Sequence, residues 1–327
     1  MVISKTPFRI SFFGGGTDYP AWYLQNAGAV LSTSINKYCY ISIRYLPPFF
    51  EHKHRIVYSL IENVKHLEDI QHPVVRTILK LYKVKKGVEI HHDGDLPARA
   101  GLGSSSAFTV GMLNSLYALR GSIISKEELA KKAIHIERDI LKENVGSQDQ
   151  VIVAYGGFNK IIFFKDHTFR VVPICLKKER LIQLQSHLML IFTGLSRFAS
   201  EIVAEQIRNT PKKRVELTAM FDMVDQGIDI LNSRRNINEF GKLLNKAWIL
   251  KRKLSPRISN PQIDNLYENA LRNGAIGGKL LGAGGGGFML LFVPPEKRKK
   301  VRRALNNMLE VKFAFENGGS QIIYYNP

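Results

Sequence analysis

The spacing of apolar residues changes several times along the chain, and each change predicts an element. Ile3–Phe13 alternates well enough for a strand, which stops at Gly14-Gly15-Gly16. Thr17 and Asp18 then open a helix over Tyr19–Leu24, with Pro20 in its first turn. Residues 30–45, rich in β-branched and aromatic side chains, read as a strand, as does Arg55–Leu60. Val75, Ile78, Leu79 and Tyr82 lie on one helical face. Val88, Ile90 and His92 alternate into an Asp93-Gly94-Asp95 turn. After a loop over residues 101–106, Ala107, Val110, Leu113 and Tyr117 recur at helical steps as far as Gly121. Ser125 and Glu128 form a capping box for a helix with Leu129, Ala133, Ile136 and Ile140 on one side. Val151–Ala154 and Asn159–Phe164 read as two strands of a hairpin around Gly156-Gly157.

A polar stretch near residues 175–186 then precedes a strand at Leu188–Thr193. Helices are expected over Phe198–Arg208, Val215–Leu231, Ile237–Lys253, Gln262–Asn273 and Lys297–Leu309, with strands at Phe288–Val293 and Val311–Phe315. No steady βαβ rhythm runs through either half, so the pattern predicts an α+β protein with a boundary between residues 1–182 and 183–327.

Composition narrows the class. A chain of 327 residues with 45% hydrophobic and 23% charged residues can bury a full core. The longest telling apolar run, Phe288–Val293, is too short to span a bilayer. No apolar segment follows Lys5 and Arg9, so no signal peptide is expected and the setting reads as cytoplasmic. Cys39 and Cys175 fit no zinc or redox spacing and read as reduced core residues; the nine histidines show no metal-ligand spacing. The formal charge of +19 favours anionic partners. Its clusters (Lys177–Arg180, Lys212–Arg214, Lys251–Lys253, Lys297–Arg303) lack interleaved aromatics and read as solvated helix faces, not as a nucleic-acid or membrane surface.

Two glycine-rich stretches carry candidate chemistry. Gly101 and Gly103 let the backbone approach a ligand, and Ser104, Ser105 and Ser106 place hydroxyls and free N–H groups at a helix start, where an anion is favoured. Gly282-x-Gly284-x-x-Gly287 matches a dinucleotide fingerprint in form, but a strand follows it instead of a helix. Consecutive glycines before a buried strand can instead turn bare main chain toward a ligand. No Walker A lysine motif occurs.

These stretches also carry a resemblance. Pro97–Ala107 resembles the phosphate-binding motif of the GHMP small-molecule kinases, Lys279–Phe288 is similar to their C-terminal glycine motif, and Thr6–Tyr19 to the galactokinase-type signature, with Pro7, Arg9, Gly14, Thr17, Asp18 and Tyr19 at matching positions. Where that signature has Glu-His, this chain has Gly15-Gly16, the form most like the D-glycero-D-manno-heptose 7-phosphate kinases, with fucokinases as neighbours. The resemblance implies an N-terminal ATP-binding domain like domain 2 of ribosomal protein S5 and a ferredoxin-like C-terminal domain. It implies ATP and Mg²⁺ as cofactors, a sugar phosphate as the small-molecule partner, and no nucleic acid or membrane; a homodimer is left open.

Residue by residue, the resemblance sets the ATP phosphates against Pro97, Ala100, Gly101, Leu102, Gly103, Ser104, Ser105 and Ser106, and the metal on Ser105 and Glu137. Asp149 takes the catalytic aspartate's place, as proton acceptor or as electrostatic orienter, and Arg9 stabilises the transferring phosphoryl group. Gly15, Gly16, Thr17, Asp18 and Tyr19 are expected to meet the sugar, with main chain at Gly284 and Gly285 facing it. A phosphate already on the substrate needs its own basic pocket. Ser196 and Arg197, between a strand end and the next helix, are the residues expected there. Rival readings are a fucose-type 1-kinase and a catalytically silent sugar sensor, which would need none of the chemistry of Ser105, Glu137 and Asp149.

Overall fold

The structure is a computed structural model that describes residues 1–98, 100–194, 199–306 and 308–327. In chain order its elements are β1 (Val2–Phe13), α1 (Pro20–Asn26), β2 (Gly28–Tyr45), β3 (His54–Val57), β4 (Ile61–Val64), α2 (Pro73–Leu81), β5 (Val88–Gly94), α3 (Ser104–Leu119), α4 (Lys126–Ile134) and α5 (Gln148–Tyr155). There follow β6 (Phe158–Phe163), β7 (Phe169–Pro173), α6 (Lys178–Ser186), β8 (Leu188–Phe192), α7 (Ala199–Asn209), α8 (Arg214–Asn232), α9 (Asn238–Arg252) and α10 (Pro261–Arg272). The chain ends with β9 (Gly277–Leu280), β10 (Phe288–Phe292), α11 (Arg298–Ala304), β11 (Glu310–Val311), β12 (Phe315–Glu316) and β13 (Gln321–Tyr325). Several 3₁₀ turns and a π-helical turn, His135–Ile140, complete the set.

The strands form two sheets, as an α+β pattern requires. Nine make the larger, ordered β13-β1-β2-β5-β3-β4, with β12 and β6 joined to β2 and β7 to β6. Its spine is the 18-residue β2, which pairs β6 through residues 28–33 and β5 through residues 39–45, all antiparallel. The smaller sheet runs β11-β8-β10-β9, antiparallel throughout. The expected division after residue 182 falls inside α6, and residues 315–325 return to the larger sheet, where β13 pairs the start of β1.

One hydrophobic core runs through both sheets. Phe12 and Phe13 at the end of β1 meet Phe240 of α9 edge-on, with ring centroids 5.4 and 5.0 Å apart, and Phe240 lies 6.3 Å from Phe292 of β10. Such aromatic contacts bury much area at defined angles. They lock α9 and the smaller sheet against the strand that carries Arg9.

Two sequence expectations fail here. Val151–Ala154 is not a strand but the middle of helix α5, and Gly156 caps that helix instead of turning a hairpin. The run is apolar on every side because residues 150–154 are buried all round, so the usual helical alternation of polar and apolar positions is missing. Cys39 is a buried free thiol as expected, whereas Cys175 is exposed. Among the described residues no helix is long and apolar enough to cross a membrane.

Candidate active site

The end of β1, the start of α3 and the start of α5 converge on a cavity of about 200 Å³. Its centre is an ion pair. Arg9 donates from Nε to Asp149 Oδ1 and from Nη2 to Asp149 Oδ2, both at 2.7 Å, and from Nη1 to the carbonyl of Gly101 at 2.6 Å. This two-pronged geometry fixes both groups. The arginine side chain is almost wholly buried, whereas the aspartate keeps 24% of its surface toward the cavity.

The serine loop closes one side. The Arg9 N–H donates to the carbonyl of Leu102, which ties β1 to the loop. Gly103, with φ +77, sits against Arg9 and Asp149, where an added Cβ would lie 3.1 Å from Arg9 Cγ. Ser104, Ser105 and Ser106 line the cavity at the first turn of a 16-residue helix.

Behind Ser106 lies Glu137, fully buried on the π-helical turn. Ser106 Oγ donates to its Oε2 at 2.9 Å, and Gln150 Nε2 donates to the same oxygen. Its Oε1 is buried and has no hydrogen-bond partner among the described residues. Burial pushes this carboxyl up to about 7, against hydrogen bonds that lower it. A buried carboxylate oxygen with nothing to bind suits a hard cation. Ser105 lines the same cavity, so a hydroxyl and a carboxylate are at hand for a cation such as Mg²⁺ that takes its other ligands from phosphate and water. Among the described residues no three His, Cys, Asp or Glu side chains gather to hold a metal by themselves.

The glycine turn forms the opposite side. Gly15, Gly16, Asp18 and Tyr19 line the cavity. Asp18 is buried, accepts from the Gly16 N–H at 2.9 Å and packs so tightly on Gly146 that a Cβ there would overlap it. Burial, with Asp149 nearby, raises its pKa. Thr17 does not face the cavity. Its hydroxyl donates to the carbonyls of Gly14 and Ala29 and holds the turn.

The second glycine run sits differently from its sequence reading. Gly282, with Ala283, reaches the cavity, but Gly284 and Gly285 do not line it; they pack against Ile258, whose carbonyl accepts from the Gly285 N–H. The run is bare because it lies on the serine loop: a Cβ on Gly101 would come 2.5 Å from the Leu281 carbonyl, and one on Gly282 2.5 Å from the Gly101 Cα. The Phe288 N–H donates to the Ala100 carbonyl along the same seam. Pro97 is exposed and Ala100 and Leu102 are buried; all three shape the loop without lining the cavity. Ser196 and Arg197 lie outside the described residues.

Several lining residues escaped the sequence reading, above all Ser11, Gln148, Gln150, Lys251 and Lys279. Lys251 belongs to a basic cluster read as solvated, yet it is only 6% exposed. The signal was present: Leu244, Ala247 and Trp248 precede it at helical spacing, so Lys251 continues a buried stripe.

A helix start lined with serines, a paired arginine and aspartate and a buried glutamate thus gather around one cavity. The chain belongs to the GHMP kinases: the family's N-terminal domain model matches residues 69–157 and its C-terminal model residues 230–311, which together take in more than half of the chain. Over 292 residues it is 29% identical to a D-glycero-α-D-manno-heptose 7-phosphate kinase of Campylobacter jejuni, covering 86% of each chain. It is 26% identical to the bifunctional fucokinase/GDP-fucose pyrophosphorylase of Arabidopsis thaliana over 86% of this chain and 28% of that one. A solved D-glycero-D-manno-heptose 1-phosphate kinase from Bacteroides thetaiotaomicron, 24% identical, superposes over the full length of both chains with a TM-score of 0.81. The fold is thus the two-domain GHMP kinase fold.

Proposed function

We propose that this chain is a cytoplasmic sugar-phosphate kinase that transfers the γ-phosphoryl group of ATP to the anomeric hydroxyl of D-glycero-D-manno-heptose 7-phosphate. The products are the 1,7-bisphosphate and ADP, on the way to nucleotide-activated heptose for cell-surface polysaccharide. The observation that carries the reading is the Arg9–Asp149 pair, set where the serine loop meets a glycine turn without bulky side chains. The likeness to the Campylobacter enzyme supports the choice of sugar.

In this reading the acceptor hydroxyl lies against the cavity-facing side of Asp149. Its O–H bond breaks as the oxygen bonds to the γ-phosphorus and the bond to the ADP oxygen breaks; the proton passes to Asp149 or, where Asp149 only orients the hydroxyl, to an oxygen of the transferred phosphoryl group. Arg9 fixes the carboxylate and supplies positive charge beside the phosphoryl group. Asp18 and Tyr19 hold sugar hydroxyls, and Gly15-Gly16 leave room for a long, phosphorylated sugar. The N–H groups and hydroxyls of Ser104, Ser105 and Ser106 receive the nucleotide phosphates. Ser105 and Glu137 are the residues to hold Mg²⁺, which when bound spreads the charge of the phosphates.

The test is ADP release over a panel of heptose 7-phosphate, unphosphorylated heptose, fucose and galactose. Clear preference for heptose 7-phosphate is expected. Equal or better turnover of fucose would move the assignment to the fucokinase branch suggested by the Arabidopsis similarity. No release with any sugar would leave a sensor.

A further inference from the structure

Two buried lysines enter the cavity from the C-terminal side, and among the described residues no carboxylate pairs with them. Lys251 on α9 and Lys279 on β9 are 6% and 3% exposed, and both line the cavity. Among the described residues neither makes an ion pair. Lys251 Nζ donates to the carbonyls of Leu280, at 3.0 Å, and Gly282; Lys279 Nζ donates to the Phe12 carbonyl at 2.9 Å. An ammonium has three donors, so both lysines keep capacity for a further acceptor.

The neighbouring charges do not balance them. Arg9 is already committed to Asp149 and the Gly101 carbonyl, and the Asp18 carboxylate is held by the Gly16 N–H. Three basic groups therefore share a buried space with two carboxylates. Burial lowers the pKa of both lysines, that of Lys251 to about 7; the positive charge of Arg9 adds to the effect in each, and the nearby Asp18 offsets it only in part. Buried charge is ordinarily paired. What is missing here is an anion of the size and charge of a phosphoryl group.

We propose that Lys251 and Lys279 form an oxyanion subsite on the C-terminal wall that receives a phosphoryl group of a bound substrate. The assignment rests on the kinase reading for the identity of that substrate. The phosphoryl group has two sources: the γ-phosphate in transfer, or the phosphate that the acceptor sugar already carries. Filling the subsite restores the ammonium of Lys251, so binding above neutral pH takes up a proton. Arg9, Asp18, Asp149 and Lys279 are the charged groups that bear on that titration.

Calorimetric titration at about pH 8, in two buffers of different ionisation enthalpy, reads both affinity and proton uptake. The titrants are inorganic phosphate, heptose 7-phosphate, unphosphorylated heptose, ADP and the non-hydrolysable ATP analogue AMP-PNP. Wild type is expected to take up a proton with the ligand that fills the subsite. Lys251→Met should reduce that uptake, with Lys279 supplying what is left, and weaken the same ligand by roughly 10- to 100-fold, the range for a lost charge-assisted hydrogen bond.

Loss confined to heptose 7-phosphate, with unphosphorylated heptose unchanged, identifies the acceptor's phosphate. Loss for AMP-PNP but not ADP identifies the transferring group. Lys251→Arg keeps a charge and its donors but does not titrate near neutrality, so it should bind nearly as wild type with a smaller uptake. That variant decides the matter if the methionine variant fails to fold. Unchanged affinity and uptake in both Lys251→Met and Lys279→Met would overturn the subsite. So would uniform weakening of all five ligands with a lowered melting temperature, since that marks a purely structural tether of the glycine run. Wild type that binds phosphate with proton uptake but releases no ADP from any sugar would spare the subsite and remove the kinase reading.

Discussion

The two walls of the cleft handle charge in opposite ways. On the N-terminal wall the charged groups are held by side chains and main chain: Arg9 holds Asp149, the Gly16 N–H holds Asp18, and Ser106 with Gln150 holds one oxygen of Glu137, the other being left for a cation. On the C-terminal wall Lys251 and Lys279 meet only carbonyl oxygens. The first wall is organised before any ligand arrives. The second is complete only with an anion in place. A phosphoryl-transfer site benefits from both, because fixed dipoles need no reorganisation while lysines with spare donors charge as the anionic substrate arrives.

The largest expected effect comes from breaking the organised wall at its centre. Asp149→Asn keeps the shape of the side chain but frees the Arg9 guanidinium and removes the negative charge that orients the acceptor hydroxyl. Turnover should fall by roughly 10²- to 10⁴-fold, the span usual for loss of a positioned proton acceptor. ATP affinity, read by calorimetry with AMP-PNP, should scarcely change. Near-normal turnover would remove Asp149 from the chemistry and with it the contrast between the walls.

Next comes the seam where the walls touch. Gly282→Ala brings a Cβ to 2.5 Å from the Gly101 Cα at φ +70, so both backbone strain and overlap oppose it. A loss of roughly 2–5 kcal/mol is expected in urea denaturation. Gly121→Ala is the control: its φ is also +70, yet nothing lies within 4 Å. It should cost only the conformational part, about 1–2 kcal/mol. Equal losses would mean that the glycine run is not pressed on the serine loop.

How far the sequence reached follows the same division. The serine loop, the capped helix before Glu137 and the strand before Gly14 were legible, because local spacing and capping set them. The Arg9–Asp149 pair joins residues 140 apart, and only the family motifs gave each a role; nothing local says that they touch. Helix α5 hid because it is buried on all faces, and Val151–Ala154 then looks like a strand. Lys251 hid for the opposite reason: basic neighbours made it look solvated, although its helical register is that of Trp248 and Leu244. The return of β12 and β13 to the larger sheet left no mark in the sequence at all, since strand partners are chosen by the finished sheet.

The opposed charge states also predict opposed dependence of stability on pH. The Glu137 carboxyl in the folded chain sits at about 7, above its ordinary 4.5, so between these values the folded state holds a proton that the unfolded state has lost. Stability therefore falls as pH rises through that window. Lys251 is the mirror case, at about 7 against an ordinary 10.5, so the unfolded state holds the extra proton and stability rises from pH 7 toward 10. Glu137→Gln, neutral throughout, should flatten the first limb and, without metal, exceed wild type above pH 7 by up to about 3 kcal/mol. It should also raise the Mg²⁺ concentration needed for half-maximal rate. Thermal melts from pH 4 to 10 check the sign. A Glu137→Gln variant less stable than wild type at pH 8 would mean that the buried carboxylate already has a partner.

The smallest effect tests how locally the organised wall is held. Ser125 Oγ accepts from the Glu128 N–H at 3.2 Å and caps α4, which runs directly into the π-helical turn that carries Glu137. Ser125→Ala should cost about 1 kcal/mol, the usual price of a lost cap, and lower the melting temperature by a few degrees. The Mg²⁺ concentration for half-maximal rate should stay where it was, because the Glu137 carboxylate is held by Ser106 and Gln150 and not by the helix cap twelve residues earlier. Ser106→Ala, which removes one of those two donors, should move the Mg²⁺ requirement with little change in melting temperature. If Ser125→Ala moves the Mg²⁺ requirement instead, Glu137 is positioned by its helix as a whole, and the wall is less self-contained than its hydrogen bonds imply.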